Sequence, residues 1–205
     1  MFKTSNLPLS VENMPPKFKF TKDQIVESGL KLVRRDGWTA LSTRSLAAEM
    51  GSSARPIYSF FNAKIELEEE IVKKAVDLLY KYMVRKRSGD LWIDHGIGYV
   101  LFAFKEKCLF RAINDESHIK FFKKHGDLIW GTLTDSLADY PAFRELSEAH
   151  IYKIQLTRWL FAHGLAMQAN NPPSGTWNIE KITEVMTEGS LAILNGLKIQ
   201  ERRKQ

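Results

Sequence analysis

The sequence predicts an all-α protein in two parts: an N-terminal three-helix helix-turn-helix domain and a larger C-terminal helical domain. Three observations carry this prediction. Apolar residues recur at spacings of three and four, with no sustained strand alternation and no internal repeat. Capping residues and glycines punctuate these stretches at short intervals. Positive charge sits at one end: residues 1–88 carry 16 Lys and Arg against 10 Asp and Glu, whereas residues 89–205 balance at 14 each. That asymmetry is the electrostatic footprint of a surface that meets phosphate.

The 205 residues suffice to bury a core, and 44% apolar with 26% charged residues is a globular rather than a disordered balance. No run approaches the roughly twenty apolar residues of a membrane span. The first twenty residues lack the apolar core of a signal peptide, so the expected location is cytoplasmic. The lone cysteine, Cys108, excludes an intramolecular disulfide and a cysteine-rich zinc site, and its apolar surroundings read as those of a buried, inert thiol. The five histidines include no pair at i, i+4, so no metal is expected. No glycine-rich phosphate loop or nucleophile elbow is present, so neither a cofactor nor an enzyme is expected.

Residues 1–19, with prolines at 8, 15 and 16 and Lys17 and Lys19 near the end, read as a flexible basic arm. The first helix starts at Thr21 and Gln24, spaced as a capping box, with Phe20 and Ile25 placed as a hydrophobic staple. Gly29, Leu32 and Val33 continue its stripe and Asp36-Gly37 ends it. Ser42 caps the second helix, in which Leu46, Ala47 and Met50 face inward. Gly51 supplies a turn and Ser53 caps the third helix, with Pro56 tolerated in its first turn. The second and third helices, residues 42–61, have the form of a helix-turn-helix, whose second helix enters the major groove of DNA. Arg55, beside Ser53 and Ala54 on its leading edge, has the fork geometry to contact a guanine edge, and a phosphate clamp is its other reading. Phe61, Leu46, Trp38 and Ile57 read as core.

Asn62 is expected to cap a fourth helix over 63–87, with acidic residues early and Arg85, Lys86 and Arg87 at its end, matching the helix dipole. Further helices are expected near 91–108, 115–125, 127–138, 142–169 and 178–202. From Trp159 to Ala169 no acidic or basic side chain occurs except His163, and from Gly189 to Leu197 none at all. A helix apolar on every face must be covered on every face. Ile182, Val185, Gly189, Ala192, Gly196 and Ile199 form a heptad-like seam, Ala162, Gly164 and Ala166 offer a similarly slim surface in the helix before it, and Trp159 and His163 of that helix are expected at the same interface. Two such helices from each of two copies make a four-helix interface, so a homodimer is expected.

Ile25, Gly37, Ser42-Thr43-Arg44 with Leu46-Ala47, Gly51 with Ser53, Tyr58, Phe61, Lys64 and Leu67 together resemble the tetracycline-repressor (TetR) family of bacterial regulators. The resemblance is strongest over residues 21–79, and Trp159 with His163-Gly164-Leu165-Ala166 and Leu194-Asn195-Gly196-Leu197 extends it. Ser52, Arg55 and Pro56 depart from the family's usual valine-like residue, glycine, and threonine or alanine. The resemblance implies a homodimeric regulator, acting as a repressor on a palindromic double-stranded DNA operator and released by a small hydrophobic or aromatic effector. Tyr58, Lys64 and Arg44 match the family's phosphate-holding positions; Thr43, Ser59 and Lys22 are further candidates for that work. The effector pocket it implies falls among helices four to eight, where Trp92, Tyr99, Phe102, Phe104, Phe121, Phe122 and Trp130 are the aromatic candidates. The domains are then the arm 1–19, the DNA-binding domain 20–63, and an effector-binding and dimerisation domain 64–205. The rival readings are a regulator acting through a protein partner, and a helical carrier or enzyme using Asp94, Glu106 and His125.

Overall fold

The computed structural model describes residues 20–171 and 175–202; the basic arm expected over 1–19 lies outside them. Helix α1 spans Lys22–Asp36 and opens with the expected capping box: Gln24 N–H donates to Thr21 Oγ1 at 3.2 Å and Thr21 N–H to Gln24 Oε1 at 2.9 Å. Its buried stripe runs Ile25, Val26, Gly29, Leu32, Val33. Gly37, at φ +80°, ends it, and a short 3-10 turn over Trp38–Ala40 follows. Helix α2, Thr43–Glu49, is capped by Ser42, whose side chain exchanges hydrogen bonds with Ser45 as a second capping box. Gly51 adopts φ +59°, a left-handed turn that a side chain would strain.

Helix α3 spans Arg55–Phe60, one residue later than the sequence predicts. Ala54, not Ser53, is its cap, and it makes no side-chain bond. Pro56 in the second position lacks one of the two N–H groups that a capping side chain reaches, so a serine cap has less to offer here. Helix α4 covers Lys64–Met83. Asn62 does not cap it; its N–H donates instead to Glu66 Oε2 at 3.0 Å, and Ala63 is the cap. It ends four residues short of the expected 87, because the buried Asp94 gathers the N–H groups of Arg87 and Ser88 at 2.8 and 2.7 Å and folds that stretch into a turn. Burial alone raises the Asp94 carboxyl pKa, but those N–H groups and the Ser88 hydroxyl outweigh it and hold the pKa below the usual range.

Helix α5, Leu91–Lys105, is capped by Asp90 and buried along nearly its whole length. It is the central helix, packed by α4, α6, α8 and α9. The expected helix 91–108 breaks at Glu106, whose side chain is drawn to α1, and α6 resumes over Lys107–Ile113. The two helices expected over 115–138 are one, α7, Ile119–Asp135, with Gly126 kept inside it. A 3-10 turn at Pro141–Phe143 precedes α8, Glu148–Asn170, which starts at its Ser147 cap. Helix α9 covers Ile179–Arg202, with Asn178 Oδ1 accepting from Lys181 N–H at 2.8 Å. Cys108 is only half-buried, its sulfur 3.6 Å from the Arg35 carbonyl.

Glycines set the closest approaches. A Cβ at Gly98 would run into the Tyr82 carbonyl and Met83 Cα, so α5 and α4 cross there backbone to backbone. At Gly29 a Cβ would lie 2.6 Å from Ile71 Cδ1, so there α1 admits a side chain of α4 and not its backbone.

Candidate nucleic-acid interface and interior cavities

Leu46, Ala47, Ile57 and Phe61 bury the inner faces of α2 and α3, which turns their polar residues outward. Arg44, Ser53, Arg55, Ser59 and Lys64 are exposed, Tyr58 is 66% exposed, and Thr43 and Ala54 are half-buried. Arg44 and Arg55 form no ion pair among the described residues. Lys64 Nζ lies 3.0 Å from Glu68 Oε1, and exposed Lys22 is paired with Glu70 at 2.5 Å. Ser59 donates its hydroxyl proton to the Arg55 carbonyl at 3.0 Å. Two unpaired guanidiniums and a projecting phenol thus occupy one edge, while the two lysines would have to exchange a carboxylate for a phosphate.

The link from this edge to the rest of the chain was not legible as local pattern. Arg34 of α1 grips the buried Glu106 with two N–H groups at 2.6 and 2.5 Å, and Tyr82 of α4 donates to the same carboxylate at 2.9 Å. Hydrogen bonding to Glu106 raises the Arg34 pKa, and burial followed by the same bond pushes Tyr82 up to about 12. Trp38 donates its indole N–H to the Ala112 carbonyl at 2.9 Å and stacks on His118 at 4.1 Å. Lys74 of α4 holds Asp23 and Glu27 of α1 at 2.7 and 2.6 Å. Helix α1 is therefore fastened to α4 and α6 together.

Three neighbouring cavities lie among α4, α5, α7 and α8. An open groove of about 470 Å³ between α7 and α8 is lined by residues including Phe122, Trp130, Leu156, Trp159 and His163. Deeper, a void of about 60 Å³ is bounded by Leu79, Met83, Tyr99, Phe122 and Trp130 among others. Innermost, a space of about 20 Å³ is lined by His95, Gly96, Tyr99, Gln155 and Arg158. Of the aromatic candidates, Tyr99, Phe122 and Trp130 line these cavities. Trp92 and Phe102 are sealed in the core, Phe121 is buried, and Phe104 packs half-buried against the core away from all three. Trp159 and His163, read from sequence as interface residues, line the groove: His163 Nδ1 lies 2.8 Å from the Tyr99 hydroxyl, and Trp159 stacks on the His163 ring. Burial lowers the His163 pKa, favouring the neutral ring. Arg158 and His95 at the inner end went unnoticed in the sequence, because Arg158 follows a mixed polar stretch containing Lys153, Gln155 and Thr157 and nothing local sets it apart.

The outer faces of α8 and α9 carry Leu156, Leu160 and Met167, and Leu191 and Ile199, all exposed. A Cβ at Gly164 or Gly196 would meet nothing within 4 Å, and Ala192 is also exposed. Val185 is half-buried. Ala166 and Ile182 face the chain's own core, and Gly189 receives the Phe161 ring of α8, so these three belong to internal packing. Among the described residues no helix is long and apolar enough to cross a membrane.

The arrangement has a counterpart among solved structures. The TetR family transcriptional regulator PfmR from Thermus thermophilus matches with a TM-score of 0.53 at 18% identity, over 84% of this chain and 98% of that one. The probable transcriptional regulatory protein RHA5900 matches with a TM-score of 0.42 at 15% identity, over 86% of this chain and 98% of that one. No protein-family model and no curated protein matches the sequence. The likeness to PfmR shows a shared all-α fold.

Proposed function

We propose, from that shared fold as premise, that the chain is a homodimeric, ligand-responsive DNA-binding regulator that represses by occupying a palindromic operator. The observation that carries the reading is the exposed edge of α2 and α3, where Arg44, Arg55 and Tyr58 project from a buried base and the two arginines have no ion-pair partner among the described residues. Arg44, Tyr58, Lys64 and Lys22 contact phosphates and fix the docking; Thr43 and Ser59 support them. Arg55, with Ser53 and Ala54, reads base edges. A second copy covers the apolar outer faces of α8 and α9, with Gly164, Ala192 and Gly196 allowing close helix approach. That pairing sets the two recognition helices about one DNA turn apart. A ligand in the α7–α8 groove shifts the spacing only as far as it prefers one arrangement over the other.

The test is binding to duplex DNA from the region upstream of the chain's own gene, followed by fluorescence anisotropy across salt concentrations. Binding that falls steeply with salt is expected, with the log–log slope reduced by about one in Arg44→Ala. Arg55→Ala loses about 1–3 kcal/mol of discrimination between the bound site and a scrambled one. Failure to bind any upstream duplex at low salt sinks the reading.

A further inference from the structure

Arg158 is 5% exposed, yet no carboxylate pairs with it among the described residues. One of its N–H groups reaches the Trp92 carbonyl at 2.7 Å, and its guanidinium lies 4.7 Å from the Trp92 ring. Among the described residues its Nε has no hydrogen-bond partner, and neither does the buried Nε2 of His95 beside it. The acidic group that acts on it, Asp90, is occupied elsewhere, accepting from Tyr140 at 2.7 Å and capping α5 through Ile93 N–H at 3.0 Å. Burial pulls Arg158 down to about 10, which leaves it charged at neutral pH. A buried, unpaired cation is costly, and structures retain one where something else completes it.

A glycine makes room for the guanidinium itself at this end of the cavity. A Cβ at Gly96 would come 2.9 Å from Arg158 Nη1 and 2.5 Å from Met186 Cε. The innermost space, about 20 Å³, holds one water-sized occupant as it stands. Trp130 and Trp159 line it, the 60 Å³ void and the outer groove alike, so they partition one path from solvent to the guanidinium. Joining the three would take an outward swing of these indoles.

We propose that Arg158 anchors the acid group of an apolar carboxylate whose hydrocarbon or aromatic body lies along Trp130, Trp159 and Phe122, and that this is the effector's chemical class. A planar carboxylate matches the guanidinium fork and completes its unpaired Nε; the neutral His95 ring beside it adds a polar contact without repulsion. The inner space holds about one water as it stands, so either acid group needs it to widen, a planar carboxylate less than a tetrahedral phosphate. The role as effector rests on the regulator reading above; the binding itself does not.

The test uses the full chain without DNA, titrated by calorimetry with octanoate against 1-octanol and with 3-phenylpropionate against 3-phenylpropanol. At least one acid is expected to bind about tenfold or more tightly than its alcohol. Arg158→Gln removes the preference, and Lys123→Ala, at the groove mouth, keeps it. If neither acid binds, if acid and alcohol bind equally, or if the preference disappears in Lys123→Ala, the assignment is overturned. Should Arg158→Gln not fold, the acid-to-alcohol ratio in the wild type and in Lys123→Ala decides. DNA binding, measured separately, reports on the regulator reading alone, so the two fail independently.

Discussion

Gly98 and His95 show how much a single position can decide in α5. At Gly98 even a methyl group collides with backbone rather than with a flexible side chain, so helices α4 and α5 must separate to admit it. Gly98→Ala is therefore expected to cost about 1–3 kcal/mol or more despite alanine's higher helix propensity. At about 2–4 °C per kcal/mol for a chain of this size, a thermal melt resolves that loss, and an unchanged melting temperature would refute the crossing. His95 is 1% exposed, and burial followed by the Arg158 charge pushes its pKa down to about 4 from about 6.5. Between those values the unfolded chain binds the proton and the folded one does not, so stability falls as pH drops through the window. The loss approaches roughly 3 kcal/mol at its lower end. His163, also lowered by burial, acts in the same sense. Denaturation midpoints measured from pH 7 to pH 4 should decline, and His95→Gln should decline less.

At the scale of elements, the junction of α1 with α6 depends on one buried carboxylate. Removing Arg34 leaves Glu106 with Tyr82 as its remaining side-chain partner. Because Arg34 is itself about half exposed, the cost of Arg34→Ala is discounted to about 1–2 kcal/mol. Amide exchange should quicken in the last turn of α1 and in α6 while the α5–α8 core stays protected; unchanged exchange at the junction counts against this account. The same junction explains what sequence could and could not reveal. The starts of α1 and α2 were legible because Thr21, Gln24 and Ser42 act within one turn. The break at Glu106 was not, since its cause is an arginine 72 positions earlier. The early end of α4 likewise depends on Asp94 reaching back to Arg87 and Ser88, and Gly126 stays helical within α7 despite its local preference. The exposure of Arg44, Arg55 and Tyr58 was readable because they lie within one short stretch whose apolar positions face inward. The cavity was only half readable: helical spacing does not distinguish Tyr99, which lines it, from Phe102, which is sealed behind it.

For the whole molecule, the outstanding energetic matter is the apolar surface left on α8 and α9. Leu160, 56% exposed, lies on the same outer face as Leu156 and Met167. A second copy docked there is expected to give a dimer by light scattering, and Leu160→Glu should yield folded monomers with weakened operator binding. A wild-type protein that is monomeric at micromolar concentration, or a Leu160→Glu variant that remains dimeric, contradicts that docking face.

The crossing at Gly98 also has a mechanical meaning. It pins α4 near Tyr82, whereas Val76 and Leu79, farther along the same helix, border the inner void and Lys64 stands at the distant end. With a rise of about 1.5 Å per residue, Val76 lies about 9 Å from that fulcrum and Lys64 about 27 Å. A rigid rod so mounted magnifies displacement about threefold, so a shift of about 1 Å at Val76 carries Lys64 through about 3 Å. That exceeds the roughly 1 Å of stretch that breaks a hydrogen bond.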